Sequence, residues 1–408
     1  VTGSGGYLRL LRANPDFRRV YLAQLISFAG DWFLIVPLLG LVFELTDSEL
    51  ATTAVFVAES LPMFLLSPVA GLVADRINRK LIMVAADVVR AGAAIAMTLV
   101  DDLQSPALAF GLVAIVASGS AFFYPATNGA LPNLVAEEDL PSASVLVGSA
   151  WGTMAAVGAA LGGTVAALVG RDAAFLIDAA SFVVSALLII GVRRAFSQER
   201  SGDPAGFLSS FREAVAYARA HPQVAALLTS KSGFALVAGA IALFPLISID
   251  LFDAGDRGTG LLYGARGLGA LIGPLLVKRW FGHSDRLLVG SIGYAVAVWG
   301  VCYAALAAAP ALGLALAAVA VAHLGGGVEW AMSTYGLQRI VPDAVRGRIF
   351  SFDFGALTLT MSISYLLAGA LADAIGIRMV VAISGSLGVV GGLVWSRLTR
   401  HLWRQLGG

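Results

Sequence analysis

Acidic side chains set inside long apolar runs are the groups of this chain whose type and position could do chemistry. Asp31 lies midway along residues 20–44, on a helical face with Gln24, Ser27 and Phe28, and Trp32 and Phe33 adjoin it. Glu59 falls within residues 51–74, and Glu329 within 311–335, with His323 two turns before it. A charge at bilayer depth costs about 3 kcal/mol or more on insertion scales, so each of these acids needs a reason to be there. Burial favours the neutral form of a carboxyl group and a nearby cation favours the charged form. A group poised between the two can accept a proton on one side of a membrane and release it on the other. Asp31, Glu59 and Glu329 are therefore the expected proton-coupling groups. Asp87 and Arg90, one turn apart within residues 81–100, are expected to neutralise each other as a structural ion pair. Asp178 and Asp353 receive no role beyond polar contact.

The elements that must hold these groups are read from composition. Of 408 residues, 58% are hydrophobic and 13% charged, against about 25% charged in a soluble globule. Water-facing surface is scarce, so the class is integral membrane protein. Apolar runs occupy residues 20–44, 51–74, 81–100, 106–130, 142–170, 172–191, 223–252, 258–278, 287–308, 311–335, 346–373 and 376–396. Each is long enough for a helix to cross roughly 30 Å of hydrocarbon. The fifth and sixth are divided at Gly170-Arg171-Asp172, because one span of that length would exceed any bilayer. The 47 glycines suit closely packed membrane helices. Cys302, the single cysteine, reads as a small core residue. Residues 1–19 are polar and basic, so no cleavable leader is expected.

Basic residues orient the spans. With the N-terminus in the cytoplasm, the opposite side holds only Arg171, Arg257 and Arg378, and Arg90, Lys231 and Arg266 lie within spans. The rest of the 27 lysines and arginines fall on the cytoplasmic side. Both termini are thus expected in the cytoplasm. Three segments are expected: a six-helix half over residues 1–191, a linker over 192–222 whose apolar spacing from Phe207 to Ala218 suggests an amphipathic helix, and a second six-helix half over 223–408. The halves share an offset of 206 or 207 positions, which pairs Asn14-Pro15 with His221-Pro222, Gly163 with Gly369 and Gly170 with Gly376. Such an offset favours a parallel internal repeat.

The segment Gly71-Leu-Val-Ala-Asp75-Arg76-Ile-Asn-Arg79-Lys80 resembles the loop between the second and third helices of the major facilitator superfamily, with Asn78 where that family most often has glycine. The stretches Ala23-Gln24-Leu-Ile-Ser27-x-x-Gly30-Asp31-Trp32-Phe33 and Leu337-Gln338-Arg339-Ile340-Val341-Pro342-Asp343 are similar to the branch containing bacterial multidrug and enterobactin exporters. Gly158-x-x-x-Gly162-Gly163 meets the antiporter pattern of the fifth helix only in part. The resemblance implies an all-α membrane protein of twelve transmembrane helices in two six-helix bundles related by a pseudo-twofold. It also implies a cavity lined by the first, fourth, seventh and tenth helices, which would bring Asp31 into the transport path. Gln24, Phe28, Trp32, Phe123, Tyr124, Lys231, Phe234, Arg266, His323 and Trp330 are the expected substrate-cavity residues. Gly71, Asp75, Arg76, Arg79 and Lys80 are the expected conformational latch, with Asp75 meeting the start of the eleventh helix.

Several activities lack their residues. No G-x-x-x-x-G-K-[ST] occurs, nor H-E-x-x-H, nor a cysteine cluster, nor G-x-S-x-G. No enzyme activity, cofactor or metal is expected. The glycines of Gly264-x-x-Gly267-x-Gly269-x-x-x-Gly273 lie inside a span with no strand before them, which favours helix packing over nucleotide binding. The resemblance implies a secondary transporter of the bacterial inner membrane, a proton-coupled exporter of amphipathic small molecules. Siderophore export and lysolipid movement are its alternatives, and a membrane sensor without flux is the competing class. The expected partners are the substrate, protons and lipid, with no nucleic acid, and a monomer is expected.

Overall fold

The computed structural model describes residues 4–136, 139–194, 207–281 and 284–405, and every regular element among them is helical. The long helices are α1 (Pro15–Thr46), α2 (Glu49–Arg76), α3 (Arg79–Ala96), α4 (Pro106–Leu134), α5 (Leu140–Val169) and α6 (Arg171–Ile190). The later ones are α7 (Pro222–Leu251), α8 (Gly255–Phe281), α9 (Asp285–Ala307), α10 (Leu312–Ile340), α11 (Asp343–Ile375) and α12 (Ile377–Thr399). Ten stretches of described helix are long and apolar enough to cross a bilayer. Of the remaining two helices, α3 carries Arg79, Lys80, Asp87 and Arg90, and α5 contributes the apolar stretch Val157–Val169. Leu168, Leu187, Leu275 and Leu398 are among many large apolar side chains left exposed, as a lipid-facing surface requires.

The chain falls into two compact units. The first contains residues 1–47 and 58–204, the second 48–57 and 205–408, so the first turns of α2 group with the second unit. In the first unit α1 packs between α5 and α6, and α3 packs on α4 and α6. In the second, α10 packs on α8 and α9, and α9 also packs along α12. The helix Phe207–Ala220 precedes α7, while residues 195–206 of the expected linker lie outside the described residues.

Local chemistry sets the helix ends. The Asn14 side chain accepts from Phe17 N at 3.0 Å and Pro15 fills the first helical position, so α1 begins five residues before the apolar run. Asn78 accepts from Lys80 N at 2.9 Å to start α3. Its φ of −56° explains why glycine is not needed there. Gly170 and Gly376, 206 positions apart, turn the chain between the last two helices of each unit with φ of +107° and +86°, values that only glycine adopts without strain. Asp47 and Asp253, also 206 apart, are both left-handed, at φ 48° and 49°. The repeat thus extends to backbone conformation at the ends of α1 and α7.

Helix α7 departs from regularity. Its first stretch ends at Val237, then tightens over Ala238–Leu243 and widens over Ile247–Leu251. Residues 238–248 are buried throughout. Irregular backbone at membrane depth is tolerated where protein satisfies it. Tyr263 Oη donates to Ile241 O at 3.2 Å, and Ser364 Oγ donates to Leu236 O at 2.6 Å.

Candidate functional site

The first unit gathers its buried charge around Arg90. This residue of α3 is 0% exposed, and its guanidinium lies 4.5 Å from the Phe123 ring centroid and 4.3 Å from that of Phe182. It pairs with Asp87, one turn away on α3, and donates to Ser27 Oγ at 3.1 Å and Ser120 Oγ at 3.4 Å. Gly119 of α4 makes room, since a β-carbon there would come within 2.7 Å of Arg90 Cγ. Asp31 of α1 and Asp178 of α6 both feel the Arg90 charge; Asp178 also feels Asp31, and Asp31 feels Asp87. Three aspartates therefore share one arginine.

Asp31, Asp178 and Glu59 line one small cavity of about 40 Å³, together with Ser120, Tyr124 and an apolar wall that includes Met63 and Val116. That is room for water rather than for a drug-sized molecule. Asp31 Oδ1 and Asp178 Oδ2 are buried without a hydrogen-bond partner among the described residues. Glu59 is exposed. The site depends on close helix packing: a β-carbon on Gly30 would overlap the side chains of Ser181 and Asp178. A β-carbon on Gly162 of α5 would lie 2.8 Å from Trp32 O.

A separate polar cluster occupies the second unit. Lys231 Nζ of α7, 3% exposed as a residue, lies 2.5 Å from Asp353 Oδ2 of α11 and 3.0 Å from Thr334 Oγ1 of α10. Glu329 of α10 is 0% exposed and accepts from Ser230 Oγ at 3.2 Å. Further along α10, His323 meets Tyr303 Oη at 3.0 Å, and Arg266 is within electrostatic reach of both.

Of the three expected proton-coupling groups, then, Asp31 and Glu59 share a cavity, and Glu329 belongs to the second cluster. Among the expected cavity residues, Tyr124 lines the Asp31 cavity and Phe28 packs on it at 5.3 Å between centroids. Gln24 is buried with Oε1 unpartnered among the described residues. Phe123 lies against Arg90, and Trp32 against α5 at Gly158. Phe234 meets Trp299 edge-on at 5.3 Å, and Trp330 is half-exposed beneath Lys231. In the expected latch, the side chains of Gly71, Asp75 and Arg76 lie outside the described residues. Arg79 is buried. Lys80 donates to Ile190 O at 2.7 Å and Val192 O at 2.9 Å, capping the C-terminus of α6. Sequence reasoning gave Asp178 and Asp353 no role, although both are isolated acids in apolar runs, the same signal that marked Asp31. The glycines Gly269 and Gly273 pack α8 onto α10 at His323 and Leu324.

Solved structures show the same architecture. The chain aligns over its whole length with a bacterial homolog of the human lysosomal transporter Spinster, at a TM-score of 0.74 and 14% identity, covering 99% of that chain. It aligns over 94% of its length with the nucleoside transporter NupG, at 0.71 and 12%, covering 98% of that chain. The fold is the major facilitator fold. Residues 11–405 match the family model described as transmembrane secretion effector, and the chain belongs to that family of major facilitator transporters. It is similar to macrolide efflux protein A of Streptococcus pyogenes, 27% identical over 91% of this chain and 93% of that protein. It is also similar to BacE of Bacillus subtilis, a protein named for bacilysin export, at 25% identity over 91% and 92%. The chain is therefore a multi-pass membrane transporter and not an enzyme.

Proposed function

We propose that this transporter is a proton-coupled exporter of amphipathic small molecules, working by alternating access in a bacterial inner membrane with both termini in the cytoplasm. The observation that carries the proposal is the Asp31 cavity. Asp87 and Asp178, both buried, and the partly buried Asp31 face one arginine, and one oxygen of each lacks a partner among the described residues. Uncompensated buried charge is expensive, so the cluster is stable only when it holds protons. Glu59, exposed at the cavity wall, relays protons between Asp31 and water. Asp31 takes up a proton from the outer side, and its release to the cytoplasm is linked to substrate leaving. At about 150 mV one charge crossing the membrane supplies roughly 3.5 kcal/mol, enough for several-hundred-fold accumulation. The efflux and export functions for which the relatives are named support the outward direction and a small-molecule substrate. The segment from Gly71 to Lys80 is assigned to latching the cytoplasmic side.

The test uses purified protein in vesicles with an imposed pH gradient. A substrate is first found by thermal stabilisation against a panel of amphipathic compounds. Its efflux should follow the gradient in the wild type and lose that dependence in Asp31→Asn. Gradient-driven efflux unchanged in Asp31→Asn would remove Asp31 from the mechanism.

A further inference from the structure

The polar cluster of the second unit has one cation and two carboxylates. Lys231 has three N–H donors. One reaches Asp353 Oδ2 and one reaches Thr334 Oγ1, whose own hydrogen goes to Trp330 O at 2.8 Å. The hydroxyl of Ser230, the residue before Lys231, is shared between Leu227 O at 2.8 Å and Glu329 Oε1 at 3.2 Å. Both acids therefore approach the same turn of α7, Asp353 from α11 and Glu329 from α10. Glu329 Oε2 and Asp353 Oδ1 are each buried without a partner among the described residues. The Ser333 hydroxyl also lies near Glu329, although it donates to Trp330 O at 3.1 Å.

We propose that Lys231 is a mobile counter-ion that trades carboxylates, neutralising Asp353 while Glu329 carries a proton and moving to Glu329 when that proton leaves. This rests on the reading of Glu329 as a proton site. The proton passes from the Glu329 carboxyl to water, leaving a carboxylate and a hydronium ion. Lys231 keeps its three protons throughout. The charged tie then moves from α7–α11 to α7–α10, so loss of one proton removes the ionic tie on α11 and leaves its packing and the Ser364–Leu236 bond to α7 in place. The other titratable groups facing α10 sit elsewhere. Arg266 of α8 and Tyr303 of α9 face His323, six residues before Glu329 and roughly 9 Å away along the helix, and Asp285 of α9 bonds Tyr335 and Arg339, six and ten residues after it. Lys fits the role because its ammonium is a compact charge on a flexible stem, free of the planar fork that would fix an arginine.

Infrared difference spectra of the full-length protein in lipid, recorded across pH, read the protonated carboxyl directly. The wild type should show a pH-dependent carboxyl band that disappears in Glu329→Gln. In Asp353→Asn, Lys231 is left to Glu329 alone, so the band should be lost over the same pH range. Asp353→Glu should keep it, which guards against a folding defect. Lys231→Met should add a second band from Asp353. A Glu329 band unmoved in Asp353→Asn overturns the switch and leaves Glu329 as a proton site. Identical spectra for wild type and Glu329→Gln overturn both. Neither outcome depends on whether transport is proton-driven, so proton-coupled export stands or falls separately on the Asp31 test.

Discussion

Arg90→Met should be among the most destabilising single changes in the first unit. The substitution keeps an unbranched side chain of comparable length and removes the charge. Asp87, itself 0% exposed, loses its partner, and a buried carboxylate stripped of its cation costs about 3–5 kcal/mol. The two ring contacts at 4.5 and 4.3 Å add up to about 2 kcal/mol each, because the guanidinium is fully desolvated. Asp87→Asn/Arg90→Met should recover much of the pair's share, since replacing both ions by neutral groups is close to balanced. Recovery should be incomplete, because Asp31 and Asp178 also lean on Arg90. Adding Asp178→Asn should therefore stabilise the double variant further. Denaturant unfolding in mild detergent, followed by tryptophan fluorescence, gives the cycle. A coupling of about 2 kcal/mol or more between positions 87 and 90 is expected, within the range for contacting residues. Arg90→Met as stable as wild type, or a double variant equal to the sum of the singles, would refute the reasoning.

Asp31→Asn should leave the protein folded, by unchanged unfolding in detergent, while abolishing gradient-driven efflux. Gly162→Ala should cost about 1–3 kcal/mol, because the new β-carbon meets Trp32 O at 2.8 Å and Phe33 Cα at 2.9 Å and must push α1 from α5. Gly92→Ala, at a position with nothing within 4 Å, should instead be neutral or gain up to about 1 kcal/mol of helix propensity in the same unfolding assay. Lys80→Met should lose about 1.5 kcal/mol with its two bonds to the end of α6, seen as faster amide exchange at residues 188–192.

The spans were legible because lipid forces a crude signal, a long apolar run, onto each helix. Charges obscure that signal in α3, where Asp87 and Arg90 are buried against neighbours rather than against lipid. Helix starts were less legible. The cap and proline at Asn14-Pro15 carried the information, yet hydropathy begins only after Arg18 and Arg19. Asp31 stood out as a lone acid in midspan. Its relation to Asp178 did not, because that depends on the side chains of Asp178 and Ser181 of α6 packing directly on Gly30 of α1. Lys231 and Asp353 are 122 residues apart, and no spacing rule links them. The left-handed Asp47 and Asp253 show the opposite case: they obey the same offset as Gly170 and Gly376, and aspartate tolerates that conformation better than most residues.

The two units reuse one backbone pattern but place different cations in it, and the difference has physical content. Arg90 is wedged between two rings, bonded to two hydroxyls and a carboxylate, and held by the space at Gly119. Such a charge has nowhere to go, so a change in proton occupancy at Asp31 or Asp178 alters the field around a fixed point. Lys231 has an exposed aromatic face beneath it and two carboxylates from different helices beside it. Under the proposed switch, a change in occupancy there moves the charge itself, and with it a tie between helices. A fixed cation suits a site that counts protons, and a mobile one suits a site that converts the count into movement.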